Sequence, residues 1–405
     1  GKTLTILGKV KYLLEQKKVK PENILLLSFT KKTVDELNER LQKMGLNARA
    51  TTFHKLGYNS IKKHQTTLPV VTNESNIGKI ITTYLEEELI EQPEALKAFV
   101  EYVACFMNIP EEHDSYDSLG EKLDTEKGID FETLQSKCAP EPLNKVAKAS
   151  LDSMQGERVK SIEELTIANF LYLNGIEYEY EKQYPYGDVV YQPDFYLKDY
   201  DIYLEHFGVD EDNKAKWLKP FKEMEYVEIM ELKREKHKKY GTKLIETYSY
   251  YNRDKVLLDK LKELLEKEQV VFKPRDIKSI YTKVTEKENN FGQEITKLIE
   301  TFINLSKSRQ LSYAAITNLF LDQKKQPNSF MRERQKLFLA FALPILKKYD
   351  QTLKASNEID FNDMINWATD LIQRNQPNLS YQYIIIDEYQ DISYSRFNLI
   401  KTIRE

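Results

Sequence analysis

With 405 residues, 41% hydrophobic and 31% charged, the chain is globular and too long for one ordinary domain, so two or three domains are expected. A formal net charge of −4 excludes a global attraction to polyanions, and any nucleic-acid site must be a local patch. Two cysteines, Cys105 and Cys138, exclude a disulfide framework and indicate a reducing compartment. No apolar run approaches the length of about 18 residues that suggests a membrane span, and no signal peptide is read, so the expected location is the cytoplasm.

In chain order, Leu4, Ile6, Leu7, Val10, Leu13 and Leu14 have helical spacing directly after Gly1-Lys2-Thr3. The short apolar run Ile24–Leu27 suits a strand buried on both faces of a parallel sheet. Val34, Leu37, Leu41 and Met44 then form one helical stripe, with Thr33 and Glu36 at capping-box spacing and Gly45 at the end. The stretch "NARATTFHKL" (47–56) reads as a short strand leaving Thr51, Thr52, Phe53 and His54 at its end. Helix, strand, helix and strand in this order predict a doubly wound α/β start.

Residues 74–155 are helical and charged, 157–250 carry short Tyr-, Val- and Ile-rich strand signals, and helices return over 253–350. A helix is expected over 358–373, with Phe361, Met364, Ile365, Ala368, Leu371 and Ile372 on one face. The buried strand Tyr383–Ile386 follows. The simplest organisation is an α/β domain built from both chain ends around a large insertion.

Gly1-Lys2-Thr3 opening a helix matches the tail of a phosphate-binding loop, in which backbone N–H groups hold phosphates, Lys reaches the β- and γ-phosphates and Thr binds Mg²⁺. Three such residues recur by chance in long chains. The strand "YIIIDE" raises their weight, because Asp387 at its carboxyl end is placed to hold Mg²⁺ and Glu388 to polarise a water. For the acidic pair alone, the plain alternative is a solvated loop after a core strand.

"LLLSFTKKTVDELNERL" (25–41), "ATTFHKL" (50–56), "IDFNDMI" (359–365) and "DEYQD" (387–391) occur in the order seen in superfamily 1 helicases of the UvrD/Rep type, and resemble the helicase IV branch most. The resemblance covers roughly the first 65 and last 50 residues. It implies that Gly1, Lys2, Thr3, Asp387 and Glu388 serve ATP and Mg²⁺, and that Gln390 couples the γ-phosphate to motion. Phe29, Thr30, Thr52 and His54 would lie along single-stranded DNA, with loop packing the plain alternative for Phe29 and His54. The implied fold is α/β: a RecA-like P-loop NTPase sheet from 1–66 and 355–405, a helical subdomain over 67–154 and 273–354 that bears on duplex DNA, and an insert over 155–272. The front of the phosphate loop and the second RecA-like half are expected outside these 405 residues, so the chain alone should hydrolyse ATP poorly. The family activity is DNA unwinding in repair or recombination, with 3′-to-5′ movement implied by resemblance only.

The insert carries "PDF…IYLEHFG", which resembles the restriction-endonuclease-like superfamily. Its element order is read as a helix with Glu164, a hairpin, a strand ending at Pro193-Asp194, a strand with Glu205, a basic helix and a last strand. Carboxylates brought together bind Mg²⁺ and activate water for phosphodiester cleavage. The superfamily asks for Lys two residues after the second acid, but Phe207 stands there. Lys233 on the next helix is the candidate replacement, with His206 and His237 as further contributors. Lys and Arg at 233, 234, 236, 238 and 239 suit phosphate contact or a solvated helix face. Two rival functions follow: a Mg²⁺-dependent nuclease or non-catalytic DNA-binding insert, and a nucleotide-gated binding module without turnover. Trp217, Trp367 and Cys105 are read as core residues.

Overall fold

Ile24–Ser28 shows no polar alternation, and all five residues are buried, as a strand covered on both faces requires. In the computed structural model, residues 2–73, 75–107, 152–187, 191–215, 220–286, 291–321, 328–375 and 381–404 are described. Among them run strands β1 (Ile24–Ser28), β2 (Ala50–Thr52), β3 (Val70–Val71), β4 (Tyr178–Tyr180), β5 (Phe195–Leu197), β6 (Ile202–Phe207), β7 (Lys243–Tyr248), β8 (Glu358–Ile359) and β9 (Tyr383–Ile386). The chain divides into two compact units, one of Gly1–Tyr84, Gln293–Leu319 and Ala342–Glu405, the other of Leu85–Gly292 and Phe320–Phe341.

The first unit holds a parallel sheet in the order β2-β1-β9. Alternation along β1 divides the packing into two layers. Leu26, with Ile385 of β9, meets Ile6, Leu7 and Val10 of the Lys2–Glu15 helix and Val34, Leu37 and Leu41 of the Lys31–Lys43 helix. Leu25 and Leu27, with Ile384 and Ile386, face Phe53 and Ile61 of the Phe53–His64 helix and the apolar sides of helices Phe361–Asn375 and Tyr394–Arg404. Helices therefore cover both faces, the doubly wound arrangement the sequence predicts. Gly57 allows two of these helices to approach closely, since a Cβ there would sit 3.3 Å from the Met364 carbonyl oxygen. Trp367 is half-buried against this core.

Three local expectations are corrected. β9 is an edge strand among the described residues: Tyr383 is exposed and the three isoleucines half-buried, because only β1 flanks it. The Lys31–Lys43 helix is capped by Thr30, whose Oγ1 accepts from the Thr33 backbone N–H at 3.1 Å, so Thr33 lies inside the helix and the Thr33/Glu36 box does not form. Its end does follow expectation, with Gly45 at φ +68° and the Leu46 N–H returning to the Leu41 carbonyl. Residues 358 and 359 pair with β3 as a small parallel sheet, and the helix starts at Phe361, where Asp360 Oδ1 accepts from the Asp363 N–H at 2.7 Å.

The second unit holds the sheet β4-β5-β6-β7, antiparallel except for the parallel pair β6/β7. A parallel neighbour needs a crossover, and the Pro220–Tyr240 helix supplies it. With the Ile162–Leu173 helix before β4, the order is helix, three strands, helix, strand, as expected. Pro193 and Asp194 precede β5 rather than closing a strand. Cys105 is buried, and burial raises its thiol far above the ordinary range, consistent with an inert core residue. Trp217 and Cys138 lie outside the described residues. Among the described residues no helix is long and apolar enough to cross a membrane.

Candidate functional site

Parallel register brings the carboxyl ends of β1, β2 and β9 to one edge of the sheet. Ser28 pairs with Thr52, while Leu27 pairs with Ile386, the residue before Asp387. In open α/β sheets this edge is where ligands bind. The Asp387 backbone N–H donates to the Leu27 carbonyl at 2.8 Å, which extends the ladder by one step and fixes the acid at the edge. Asp387 is only 6% exposed, yet among the described residues its carboxylate receives one long hydrogen bond, 3.4 Å from Ser28 Oγ. Buried carboxylates ordinarily fill more of their acceptor sites, so this one has capacity for a further ligand.

The chain turns sharply after Asp387. Glu388 is left-handed at φ +51°, a conformation unusual for a residue with a Cβ, and it leads into the short 3₁₀ turn Tyr389–Asp391. Gln390 donates from Nε2 to the Glu388 carboxylate, tying two of the sequence-predicted residues to each other. Lys2 begins the first helix and Thr3 is half-buried within it; the Lys2 side chain and Gly1 lie outside what is described.

Four residues expected on DNA sit at or just after the ends of β1 and β2. Phe29 packs on Phe53, with centroids 5.3 Å apart. Thr30 caps the helix after β1, and Thr52 caps the one after β2 by accepting from the Lys55 N–H at 3.1 Å. Thr30 Oγ1 also lies 2.8 Å from Thr33 Oγ1, whereas the Thr52 hydroxyl proton is available to a second partner, and a helix start is itself an anion-attracting place. The His54 ring packs on Phe361 at 4.7 Å, and burial, helped by the Arg396 charge, pulls its pKa down to about 4. His54 is therefore neutral at pH 7.

Sequence reasoning missed Ser28, Arg396 and Lys307. The Lys307 side chain is 8% exposed and bridges Asp350 at 3.1 Å, Asp360 at 2.8 Å and Asp363 at 2.8 Å, tying down the "IDFNDMI" segment. Burial beside Asp360 pushes the Asp363 carboxyl up to about 6. A cavity of about 710 Å³ opens beside these groups, lined in part by Lys307, Asp350, Asp363 and Trp367; Phe29, Thr30, Thr52, His54 and Asp387 do not line it.

In the second unit, Glu205 on β6 is 1% exposed, accepting from Tyr191 Oη at 2.7 Å and from Lys233 Nζ at 2.7 Å. Lys233 thus reaches the acid from another element, while Phe207 is buried in the core. Asp194 accepts from the His206 backbone N–H at 2.7 Å, and burial next to Glu205 raises its pKa to about 7. Glu164 accepts from Ser161, from Tyr180 and from the Lys160 N–H. The His206 imidazole is held by Thr247 and Glu163, and that of His237 by Tyr191 and Thr242. The basic helix is less available to phosphate than its composition suggests. Lys233 is spent on Glu205, and Arg234 binds Glu246 through two 2.8 Å hydrogen bonds. Among the described residues no group of three or more His, Cys, Asp or Glu side chains is arranged to hold a metal ion.

A parallel α/β sheet with a buried acid and capped helix starts along its carboxyl edge belongs to the ligand-binding class of open α/β domains. This chain is a member of the UvrD/REP helicase N-terminal domain family, whose match runs over residues 1–405. It is 25% identical to the ATP-dependent DNA helicase PcrA of Staphylococcus epidermidis over 144 residues, 34% of this chain and 18% of that protein. It is 40% identical to the ATP-dependent DNA helicase Rep of Escherichia coli over 60 residues, 14% of this chain and 9% of Rep. Against DNA helicase IV of Escherichia coli the identity is 34% over 62 residues, 15% of this chain and 9% of that protein. The aligned regions thus span under a fifth of the length of these curated relatives.

Proposed function

We propose that the protein is an ATP-dependent superfamily 1 motor that moves 3′ to 5′ on single-stranded DNA and unwinds duplex in repair or recombination. The observation that carries this reading is Asp387, a buried, under-satisfied carboxylate at the end of a strand paired with β1, in a chain whose sequence begins Gly1-Lys2-Thr3 and whose first helix starts at Lys2. Oxygen donors suit Mg²⁺, which Asp387 and the Thr3 hydroxyl would hold and which would neutralise charge on the transferred phosphate. Lys2 and the helix start would hold the β- and γ-phosphates, Glu388 would take the proton of the attacking water, and Gln390, bonded to Glu388, would report the γ-phosphate to the rest of the unit. Phe29, Thr30, Thr52 and His54 would line the DNA path, His54 as a neutral ring.

In this reading both chain ends form a RecA-like domain, residues 67–154 and 273–354 form the helical subdomain, and a second RecA-like half belongs to the complete protein, which works in the cytoplasm. Glu388→Gln in the full-length protein should lower DNA-stimulated ATP hydrolysis by at least about 100-fold while ATP still binds. Undiminished turnover would refute the assignment.

A second activity, Mg²⁺-dependent DNA cleavage by a restriction-endonuclease-like insert, is favoured by Lys233 Nζ lying 2.7 Å from Glu205, where the chain itself offers Phe207. Glu164, Asp194 and Glu205 would then be its acids. Nicking of duplex DNA by purified protein, lost in Asp194→Asn, tests it; clean protein that binds DNA without nicking leaves the insert as an accessory binding domain.

A further inference from the structure

Among the described residues Arg396 is a cation without an anion. It lies on the Tyr394–Arg404 helix, five residues after the "DEYQD" turn, and its guanidinium carbon sits 5.0 Å from the Phe29 ring centroid and 5.8 Å from that of Phe53. The side chain is half-buried, and among the described residues its guanidinium has no carboxylate or carbonyl partner. Stacking on aromatic faces attracts the cation but leaves its charge and its five N–H donors unmatched. A partly desolvated charge of this kind is costly unless something completes it.

The surroundings indicate what that is. Phe29 follows β1 and Phe53 follows β2, each beside a capped helix start at Thr30 or Thr52. Nearby His54 contributes no positive charge at neutral pH. Lys31, Lys32 and Lys55 are exposed cations of the same two helix starts, but the guanidinium is the cation stacked on both rings, and its planar fork matches two oxygens of a phosphate.

We propose that Arg396 binds a backbone phosphate of single-stranded DNA, while Phe29 gives the adjoining base an aromatic face. This rests on the DNA-motor reading above and adds to it a specific anion contact. It also gives a physical link, since the short segment from Asp391 to Arg396 joins the acidic turn to the DNA path.

Binding of fluorescent oligo(dT) to the full-length protein between about 50 and 200 mM NaCl tests it. Each phosphate contact on a single strand contributes about 0.7 to the slope of log K against log salt. Arg396→Gln should reduce the slope by about 0.7 and weaken binding several-fold, while Arg396→Lys should keep the slope. Binding by Arg396→Gln with an unchanged slope overturns the inference alone. So does a loss confined to nucleotide affinity, which would give the guanidinium to ATP. Wild-type protein that fails to bind oligo(dT) overturns the motor reading as well. Should Arg396→Gln fail to fold, arginine-selective phenylglyoxal labelling of wild type decides: oligo(dT) should protect Arg396 several-fold, and equal labelling with and without DNA refutes the contact.

Discussion

Lys233 Nζ lies 2.7 Å from Glu205 Oε2, across 28 residues of chain, and completes a carboxylate whose other oxygen is held by Tyr191. Removing one partner of a buried pair leaves an uncompensated charge, which costs about 3–5 kcal/mol. Lys233→Met should therefore destabilise the second unit by about 3 kcal/mol in urea unfolding. Adding Glu205→Gln to it should recover most of that loss. If the double variant is as unstable as the single one, Lys233 acts through packing of its stem rather than its charge.

The depressed pKa of His54 gives a signed pH effect. The folded state holds the imidazole near pKa 4, whereas the unfolded chain takes up a proton below about 6.5. The stability this residue contributes is complete above pH 6.5 and is lost as pH falls toward 4. Relative to His54→Gln, the wild type should lose about 1 kcal/mol between pH 7 and pH 4.5, a figure reduced for the partial exposure of the ring. Parallel stability curves for the two proteins would show that the ring titrates freely in the fold.

Thr52 caps a helix with the same hydroxyl that the proposed function assigns to the DNA path. Thr52→Ala should cost about 1 kcal/mol of stability and also weaken oligo(dT) binding. Thr52→Ser keeps the hydroxyl and should restore both. An alanine variant that loses stability but keeps full oligo(dT) affinity would assign the threonine to capping alone.

Local signals made the first unit legible. Ile24–Leu27 and Tyr383–Ile386 are short apolar runs between helical stripes, and parallel pairing follows from that alternation. The edge position of β9 was hidden, because four apolar residues do not reveal whether both sides of a strand are covered. The cap at Thr30 was misplaced by three residues because Thr33 offers the same chemistry nearby. Contacts distant in sequence were the least legible. Arg234 reads as one of five solvated cations until Glu246 is seen to hold it, and Lys307 carries no motif although three aspartates converge on it. Arg396 stands in an unremarkable "SYSRFN", and only the fold puts it against Phe29.

The most direct test concerns whether the lysine of the first helix and the acid after β9 serve one nucleotide. A double-mutant cycle with Lys2→Ala and Asp387→Asn, read as DNA-stimulated ATP hydrolysis by the full-length protein, measures that coupling. Each single change should abolish most turnover, and the double should be scarcely worse than either. Fully additive losses, or hydrolysis surviving in either single variant, would contradict a shared site.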